Sequence, residues 1–401
     1  MLHACLRCQR SLKEILLALT QQYNTTMTAA TATTISTTNR LARDPSSLSN
    51  PDQAHITHLF WDATINFDEQ IIIAKATYTI AIVDPSTVKN VRLDTSHLDI
   101  HSVFVNDAPA TFSLTVPDNS KSHLGSVLEI QLLDNSHSTI TITISYTTTN
   151  QCSAAQWLPP AQTAGKKHPY IFTQCQAIHA RSLLPCQDCP AVKMTYEARV
   201  VVPDWATCVM SALSKDSLPS SSSQPSSATT SSNSSSSTNQ PNNKNNNNTT
   251  TFYFHQPVPI PSYLFALAVG QLSSKDISPR CRVWSEPSMV DAVAYEFAQV
   301  EQFLEVAEDL TLEYQWGRYD ILCLPPSFPY GGMENPCVSG NIYIHRIVIN
   351  CFHLLISSCH LFSFYSYESS GAVDICHAHI TSRRPISRRR GSPRGSTLLV
   401  G

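Results

Sequence analysis

Apolar and polar residues alternate one by one along much of the first two thirds of the chain. The clearest stretch is residues 139–146, Thr-Ile-Thr-Ile-Thr-Ile-Ser-Tyr, in which every second side chain is apolar. A strand with this pattern buries one face and exposes the other. The pattern recurs between polar turn clusters at residues 71–83, 127–133, 192–202 and 252–254. It predicts a mainly β fold, with an all-β domain over residues 41–271.

A serine- and asparagine-rich tract, residues 217–250, interrupts this alternation. It has no apolar periodicity and cannot bury enough surface to offset its ordering entropy, so we expect a disordered loop. Because strands resume after it, the tract is interpreted as an insertion in a hairpin and not as a domain linker.

The pattern changes after residue 271. Residues 289–310 place apolar side chains at helical spacing, which predicts one amphipathic helix with Ser285 or Ser288 as its N-cap. A strand at 319–324 and a turn rich in proline and glycine at 325–337 follow. A second, mixed α/β domain is therefore predicted to begin at residue 272.

Charge and cysteine usage restrict the function classes. Lysine plus arginine (27) nearly balance aspartate plus glutamate (30), which argues against nucleic-acid or anionic-membrane partners. The apolar stretch nearest to a membrane span, residues 351–367, contains histidines and serines, so no span is predicted. The 13 cysteines are odd in number and scattered, which favours a reducing cytoplasmic location.

The first 40 residues are interpreted as a flexible N-terminal extension. Within residues 1–26, Arg7, Arg10 and Lys13 alternate with leucines and an isoleucine, so an organelle-targeting helix is the alternative to a cytoplasmic location. Glu14 and the lack of a cleavage signal weaken that alternative.

Gly331 and Gly332 precede Met333 and Glu334 in the turn after the second domain's strand. Two glycines let an extended backbone approach a ligand closely, so this edge can pair with a peptide while Glu334 holds the peptide's α-amine. The alternative is an ordinary Gly-Gly turn with a solvated glutamate, which composition alone favours.

Two longer sequence motifs, called the motif blocks below, favour the ligand-binding edge over the ordinary turn. The segment Pro329-Tyr-Gly-Gly-Met-Glu-Asn-Pro336 resembles the Gly-x-Met-Glu-Asn signature of the aminopeptidase N-like zinc metallopeptidases, and Leu324-Pro-Pro-Ser-Phe328 before it resembles the leukotriene A(4) hydrolase branch. Residues 172–188 are similar to the substrate-site segment of that family. The resemblance extends over residues 41–337.

The resemblance implies an N-terminal β-sandwich or saddle-like domain, followed at 272–337 by the truncated start of a thermolysin-like α/β catalytic domain. It implies a cytosolic zinc aminopeptidase that acts on short peptides through their free N-terminus, and that also hydrolyses a lipid epoxide. The implied substrate-binding residues are Gln174, Cys175, Gln176, Pro329, Tyr330, Gly331, Gly332, Met333 and Glu334. For Gln176 the alternative is a polar loop residue, and His179 is interpreted as structural.

The family's zinc is held by His-Glu-x-x-His and a later glutamate. No His-Glu pair occurs in these 401 residues, and His377 and His379 are too close together for that helical spacing. The pairs Cys5/Cys8 and Cys186/Cys189 lie too far apart in the chain for a zinc ribbon. We therefore expect no bound zinc, no complete catalytic set and an inactive chain.

The resemblance stops at Cys337, and residues 338–401 have a composition unlike that of a domain. Val338 and Ser339 can be encoded by GTAAGT, a splice-donor consensus. Codons for residues 373–401, read one base later, permit Leu-Thr-Phe-Val and then His-Glu-Val-Ala-His. We expect an aberrant tail, intron-derived and out of frame, and the alternative is a genuine lineage-specific tail.

Two other functions compete with an inactive member of this family. One is a non-catalytic peptide-binding module, in which the β domain and the glycine-rich edge retain affinity without cleavage. The other is an unrelated β-rich adhesion protein, which the unpaired cysteines and the two motif blocks disfavour.

Overall fold

The computed structural model describes residues 44–117, 122–132, 137–215, 244–245, 248–328 and 331–342. Residues 44–271 form what we call the β region, and residues 272–342 form the second region. The β region is built on a nine-stranded sheet whose order is β13-β15-β11-β1-β2-β8-β4-β5, with β14 pairing with β15. Its strands are β1 (Ala54–Asn66), β2 (Ile71–Ile82), β4 (Leu98–Val105), β5 (Ala108–Pro109), β8 (Thr139–Thr148), β11 (Lys193–Pro203), β13 (Leu213–Ser214), β14 (Lys244–Asn245) and β15 (Thr249–Pro261).

Period-two alternation predicted the long strands correctly. In residues 139–145 of β8 every isoleucine is buried and every threonine is at least partly accessible, because successive side chains point to opposite faces. Strands β2 and β11 also match their predicted segments, and residues 252–254 lie within the longer β15. The sheet is antiparallel except where β1 runs parallel to β11.

Two smaller sheets complete the β region. A four-stranded sheet contains β9 (Ala155–Leu158), β10 (Tyr170–Thr173), β12 (Thr207–Met210) and β16 (Leu267–Gly270), and a three-stranded sheet contains β3 (Asn90–Thr95), β6 (Phe112–Thr115) and β7 (Ser126–Gln131). The core lies on the inner face of the large sheet, where Trp61 Nε1 donates to Tyr146 Oη at 2.9 Å. Phe265, in the turn before β16, packs edge-on against Trp61 and joins the sheets.

The serine- and asparagine-rich tract connects two paired strands, since β13 is antiparallel to β15. It is therefore an insertion within a hairpin, as predicted. Its last residues belong to the sheet, because β14 pairs with the start of β15, and the predicted loop extended too far at this end. Residues 216–243 and 246–247 lie outside the described residues, so the disorder expected there stays a prediction.

The second region is a mixed five-stranded sheet with two helices. Its strand order is β17-β18-β19-β21-β20, with β17 (Ser273–Asp276), β18 (Arg282–Ser285), β19 (Asp320–Leu324), β20 (Gly332–Met333) and β21 (Val338–Ile342). Strand β21 comes from the first five residues of the predicted aberrant tail and pairs with β19. The intron-derived origin expected for residues 338–401 stays a prediction. Residues 343–401 lie outside the described residues.

The single helix predicted over 289–310 is instead two helices, α1 (Val290–Glu296) and α2 (Val300–Leu310). The chain tightens between them, where Val300 N bonds to Phe297 O, and Phe297 and Val300 are both buried. The predicted caps were also wrong. Ser285 is buried at the end of β18, and Met289 is the N-cap without a side-chain hydrogen bond.

Across the described part of the chain, none of the helices has the length and apolar character needed to cross a membrane.

Candidate functional site

The two motif blocks meet at a narrow crevice between the four-stranded sheet of the β region and the sheet of the second region. Its free volume is about 20 Å³, room for about one water molecule. The lining is mainly apolar, which favours an apolar ligand group. The lining residues used below are Phe172, Gln174, Ser211, Ala266, Phe328, Met333 and Asn335.

Strand β10 carries the first block to the crevice. Phe172 packs edge-on against Phe328 of the second region, with ring centroids 5.5 Å apart. Gln174 follows β10 directly, and its backbone N–H donates to Ala154 O at 2.8 Å. Because the backbone is held there, the Gln174 side chain lines the crevice and can donate to or accept from a ligand.

The next two residues of the block lie in different environments. Cys175 is buried, and burial raises the pKa of its thiol well above the ordinary value, so the thiol is unreactive. Gln176 is exposed, and neither side chain lines the crevice. Of the three residues predicted here, the structure thus brings only Gln174 to the meeting point of the blocks.

The second half of this block, residues 181–188, contributes to a buried polar network that no local sequence pattern reveals. Arg181 Nε donates to Asp188 Oδ2 at 2.9 Å, and Asp94 lies within 3.8 Å of the same guanidinium. Ser262 Oγ donates to Asp188 Oδ1 at 2.8 Å. Burial raises the pKa of Asp188, and Arg181 opposes that rise. These residues tie distant segments together, so their resemblance to the family reflects the fold as well as the site.

His179 lies two residues before this network and is exposed. Its Nδ1 is 2.8 Å from Ser153 Oγ. The contact joins two loops of the β region and agrees with the interpretation of His179 as structural.

The second block forms the outer edge of the five-stranded sheet. Strand β20 pairs with β21 through Gly332 and Met333, and among the described residues it is the last strand in the sheet order. Met333 is buried and lines the crevice, and a Cβ at Gly331 would meet nothing within 4 Å. An outermost strand has backbone groups free to pair with a further strand. Pro329 and Tyr330, also predicted here, lie outside the described residues.

Glu334 follows β20 and is half-buried. It lies close enough to Tyr319 to influence it: burial, and to a lesser extent the Glu334 charge, raise the pKa of the Tyr319 phenol well above its ordinary value. Tyr319 therefore stays protonated at neutral pH. Glu334 places a carboxylate at the end of the strand edge whose Met333 lines the crevice.

The described residues do not fit a zinc site. Among them, no three histidine, cysteine, aspartate or glutamate side chains are grouped so that they could hold a metal ion. His377 and His379 lie outside the described part of the chain.

Comparison with known proteins agrees with the two motif blocks. Residues 53–224 match the peptidase M1 N-terminal domain. Leukotriene A-4 hydrolase of Xenopus laevis is 41% identical over 299 residues, which cover 74% of this chain and 44% of the relative. Leucine aminopeptidase 2 of Yarrowia lipolytica is also 41% identical, over 74% of this chain and 41% of the relative. The chain thus spans less than half the length of these curated relatives.

Solved structures give the same result. Yeast LTA4 hydrolase in complex with bestatin superposes with a TM-score of 0.65 at 32% identity, covering 80% of this chain and 46% of that structure. An M1 zinc metallopeptidase from Deinococcus radiodurans superposes with a TM-score of 0.56 at 18% identity, which shows a shared fold.

Proposed function

We propose that this chain recognises the free amino end of short peptides at the crevice. The premise is that residues 53–224 belong to the peptidase M1 N-terminal domain family, and that the chain is related to leukotriene A-4 hydrolase over three quarters of its length. One observation carries the proposal. Within the described part of the chain, β20 is the outermost strand of its sheet. Met333 in this strand lines the crevice with Gln174, and Glu334 follows at its end.

Each part of this edge has a role in binding. The backbone of Gly331 and Gly332 pairs with an extended peptide, since no side chains keep the two main chains apart. Glu334 accepts charge-assisted hydrogen bonds from the peptide's α-ammonium group. Gln174 bonds to a peptide carbonyl or amide across the crevice. A blocked N-terminus removes the charge that Glu334 recognises, so binding discriminates between free and acetylated peptides.

Peptide hydrolysis in M1 zinc metallopeptidases depends on a metal, and zinc would supply an activated water. Because the described residues do not fit a zinc site and these 401 residues contain no His-Glu pair, we propose that this chain binds peptides without cleaving them. Protein from this locus with a complete zinc motif would be an aminopeptidase. The proposed location is cytoplasmic.

Glu334→Gln tests the amino-end assignment. The variant keeps the side-chain shape and removes the charge, and a hydrogen bond to a charged group is worth about 1.5–3 kcal/mol, so affinity for a free tripeptide should fall about 10- to 100-fold. Isothermal titration calorimetry measures this, with the N-acetylated tripeptide as a ligand control. Glu69→Gln makes the same charge change on an exposed turn between β1 and β2 and should leave affinity unchanged.

Equal affinity of wild type and Glu334→Gln for the free peptide would contradict the assignment. So would equal binding of free and acetylated peptides. Release of the N-terminal residue by the purified chain, sensitive to a chelator, would contradict the proposal that it binds without cleaving.

A lipid epoxide is the second candidate ligand. The similarity to the Xenopus leukotriene A-4 hydrolase favours it. Such a ligand has no α-ammonium group, so its binding should respond less to Glu334→Gln than peptide binding does. Displacement of the lipid by the free tripeptide would place both at the same crevice.

A further inference from the structure

Gln256 is a fully buried amide in β15, and one of its three hydrogen bonds leaves the β region. Its Nε2 donates to Ser211 O at 2.9 Å and approaches Cys337 Sγ at 3.6 Å, and its Oε1 accepts from Val258 N at 3.2 Å. Both ends of the amide are thus engaged. The contact with Cys337 joins residues 81 positions apart in the chain and crosses from the β region to the second region.

Ser211 links this amide to the crevice. Its side chain bonds to Tyr196 Oη at 2.9 Å and accepts from Ala266 N at 2.9 Å. Ser211 and Ala266 both line the crevice. Gln256 is therefore hydrogen-bonded directly to a residue of the crevice wall, Ser211.

Cys337, three residues after Glu334, is held on every side. Its backbone N–H donates to Tyr314 Oη at 3.2 Å, its carbonyl accepts from Asp320 N at 2.9 Å, and its thiol donates to Trp316 O at 3.7 Å. The residue has φ +65°, a left-handed backbone conformation that is strained for residues other than glycine. A strained residue persists only where its surroundings determine it, and here both regions do so.

The segment that carries Glu334 is thus anchored at both ends against the β region. Before it, Phe328 packs on Phe172, and after it, Cys337 bonds to Gln256. Because only Asn335 and Pro336 separate Glu334 from Cys337, a shift of Cys337 moves the carboxylate.

We infer that Gln256 is a positioning residue for peptide recognition: it holds Cys337 and thereby sets the place of Glu334 at the crevice. The inference rests on the proposed function. Gln256 does not line the crevice and acts through Cys337.

The thiol of Cys337 reports on this anchor. Burial raises the pKa of the thiol to about 12, so it reacts slowly with alkylating reagents while the anchor holds. Cys208 in β12 is buried in the β region, and burial raises the pKa of its thiol well above the ordinary value. It serves as an internal reference, because it becomes reactive only when the β region itself opens.

The experiment compares Gln256→Met with Gln187→Met. Gln187 is also buried, and its amide donates to Ala54 O and accepts from Ile56 N. Replacing Gln187 therefore removes buried amide hydrogen bonds of the same kind, but none of them involves Cys337. N-ethylmaleimide labelling of the full chain is followed by peptide mass spectrometry. The rate at Cys337 relative to Cys208 should rise at least about tenfold in Gln256→Met and stay unchanged in Gln187→Met. If Gln256→Met does not fold, Gln256→Asn replaces it, since its shorter amide does not reach Cys337.

Calorimetry with the free tripeptide completes the test. Affinity should fall about tenfold or more in Gln256→Met and remain at the wild-type value in Gln187→Met. An equal rise in labelling at Cys337 and Cys208, or unchanged labelling at Cys337, would show a general structural role and overturn the inference. Wild-type affinity in Gln256→Met would overturn it too, with the proposed function intact. Absence of peptide binding by the wild type would remove the proposed function and with it the positioning role, whatever the labelling shows.

Discussion

Gly270, the last residue of β16, lies against the ring of Tyr170. A Cβ atom at this position would stand 2.2 Å from Tyr170 Cδ2 and 2.7 Å from Cε2. Tyr170 is buried in β10. Because residue 270 has no side chain, the ring of Tyr170 in β10 can pack against β16. Tyr170 lies two residues before Phe172, which lines the crevice.

Gly270→Ala should destabilise the protein by about 1–3 kcal/mol, the usual cost of overpacking a filled core. Chemical denaturation followed by circular dichroism measures the free energy of unfolding. Gly331→Ala is the matched control, because its Cβ enters open space, and it should change stability by less than about 0.5 kcal/mol. A Gly270→Ala protein as stable as the control would show that Tyr170 can move.

At the scale of elements, α2 is fixed by charge as well as by its apolar face. Arg280 bonds to Glu301 in the first turn of the helix and to Glu308 in the last, at 2.6 Å in both ion pairs. The hydrogen bond from Arg280 is the main cause that lowers the pKa of Glu308. One guanidinium, in the turn between β17 and β18, thus holds both ends of the helix.

This arrangement predicts a pH dependence. Since the folded-state pKa of Glu308 is lowered, its ion pair stabilises the protein above the unfolded-state pKa of about 4.3, and the contribution is lost as pH falls through the lowered folded value. Glu308→Gln should cost about 1–3 kcal/mol at pH 7 and much less near pH 3. Urea unfolding at both pH values measures the difference. An equal cost at both would indicate that shape, and not charge, is what Glu308 contributes.

At the scale of the whole molecule, the β region and the second region are joined through aromatic and sulfur contacts around the crevice. Phe328 is buried against Phe172, and Cys337 against Gln256. Further along, the carboxylate of Glu286 accepts backbone bonds from Ala164 and Gly165. The joint therefore depends on a few well-packed groups.

Phe328→Ala should loosen this joint, since truncation of a buried phenylalanine costs about 3–5 kcal/mol. Hydrogen exchange measured by mass spectrometry should show that the substitution accelerates exchange more in β19 and β18 than in β1 and β2. Phe60→Ala, which removes the same atoms from a side chain that is 38% exposed, should cost less than about 1 kcal/mol. Equal acceleration in both regions would show that they unfold as one unit.

The order of residues by itself determined the long strands and singled out the edge that we propose binds peptides. Alternation in 139–146 reports burial directly, because a strand turns successive side chains to opposite faces. The glycine pair before Met333 and Glu334 likewise predicts that a ligand's backbone can approach closely, since glycine has no side chain in the way. Patterns of this kind are local, so they can be interpreted without knowing which residues pack against them in the fold.

Only the tertiary structure decided the rest. No glycine or proline marks the turn that separates α1 from α2, which arises where Phe297 and Val300 both pack inward. Arg181 and Asp188 stand in the same block as Gln174, yet their role follows from contact with Asp94 and Ser262, far away in the chain. Gln256 meets Cys337 only because two sheets bring them together. Pairings between distant residues depend on how elements pack, and packing is a property of all the neighbours at once, which no single stretch of sequence contains.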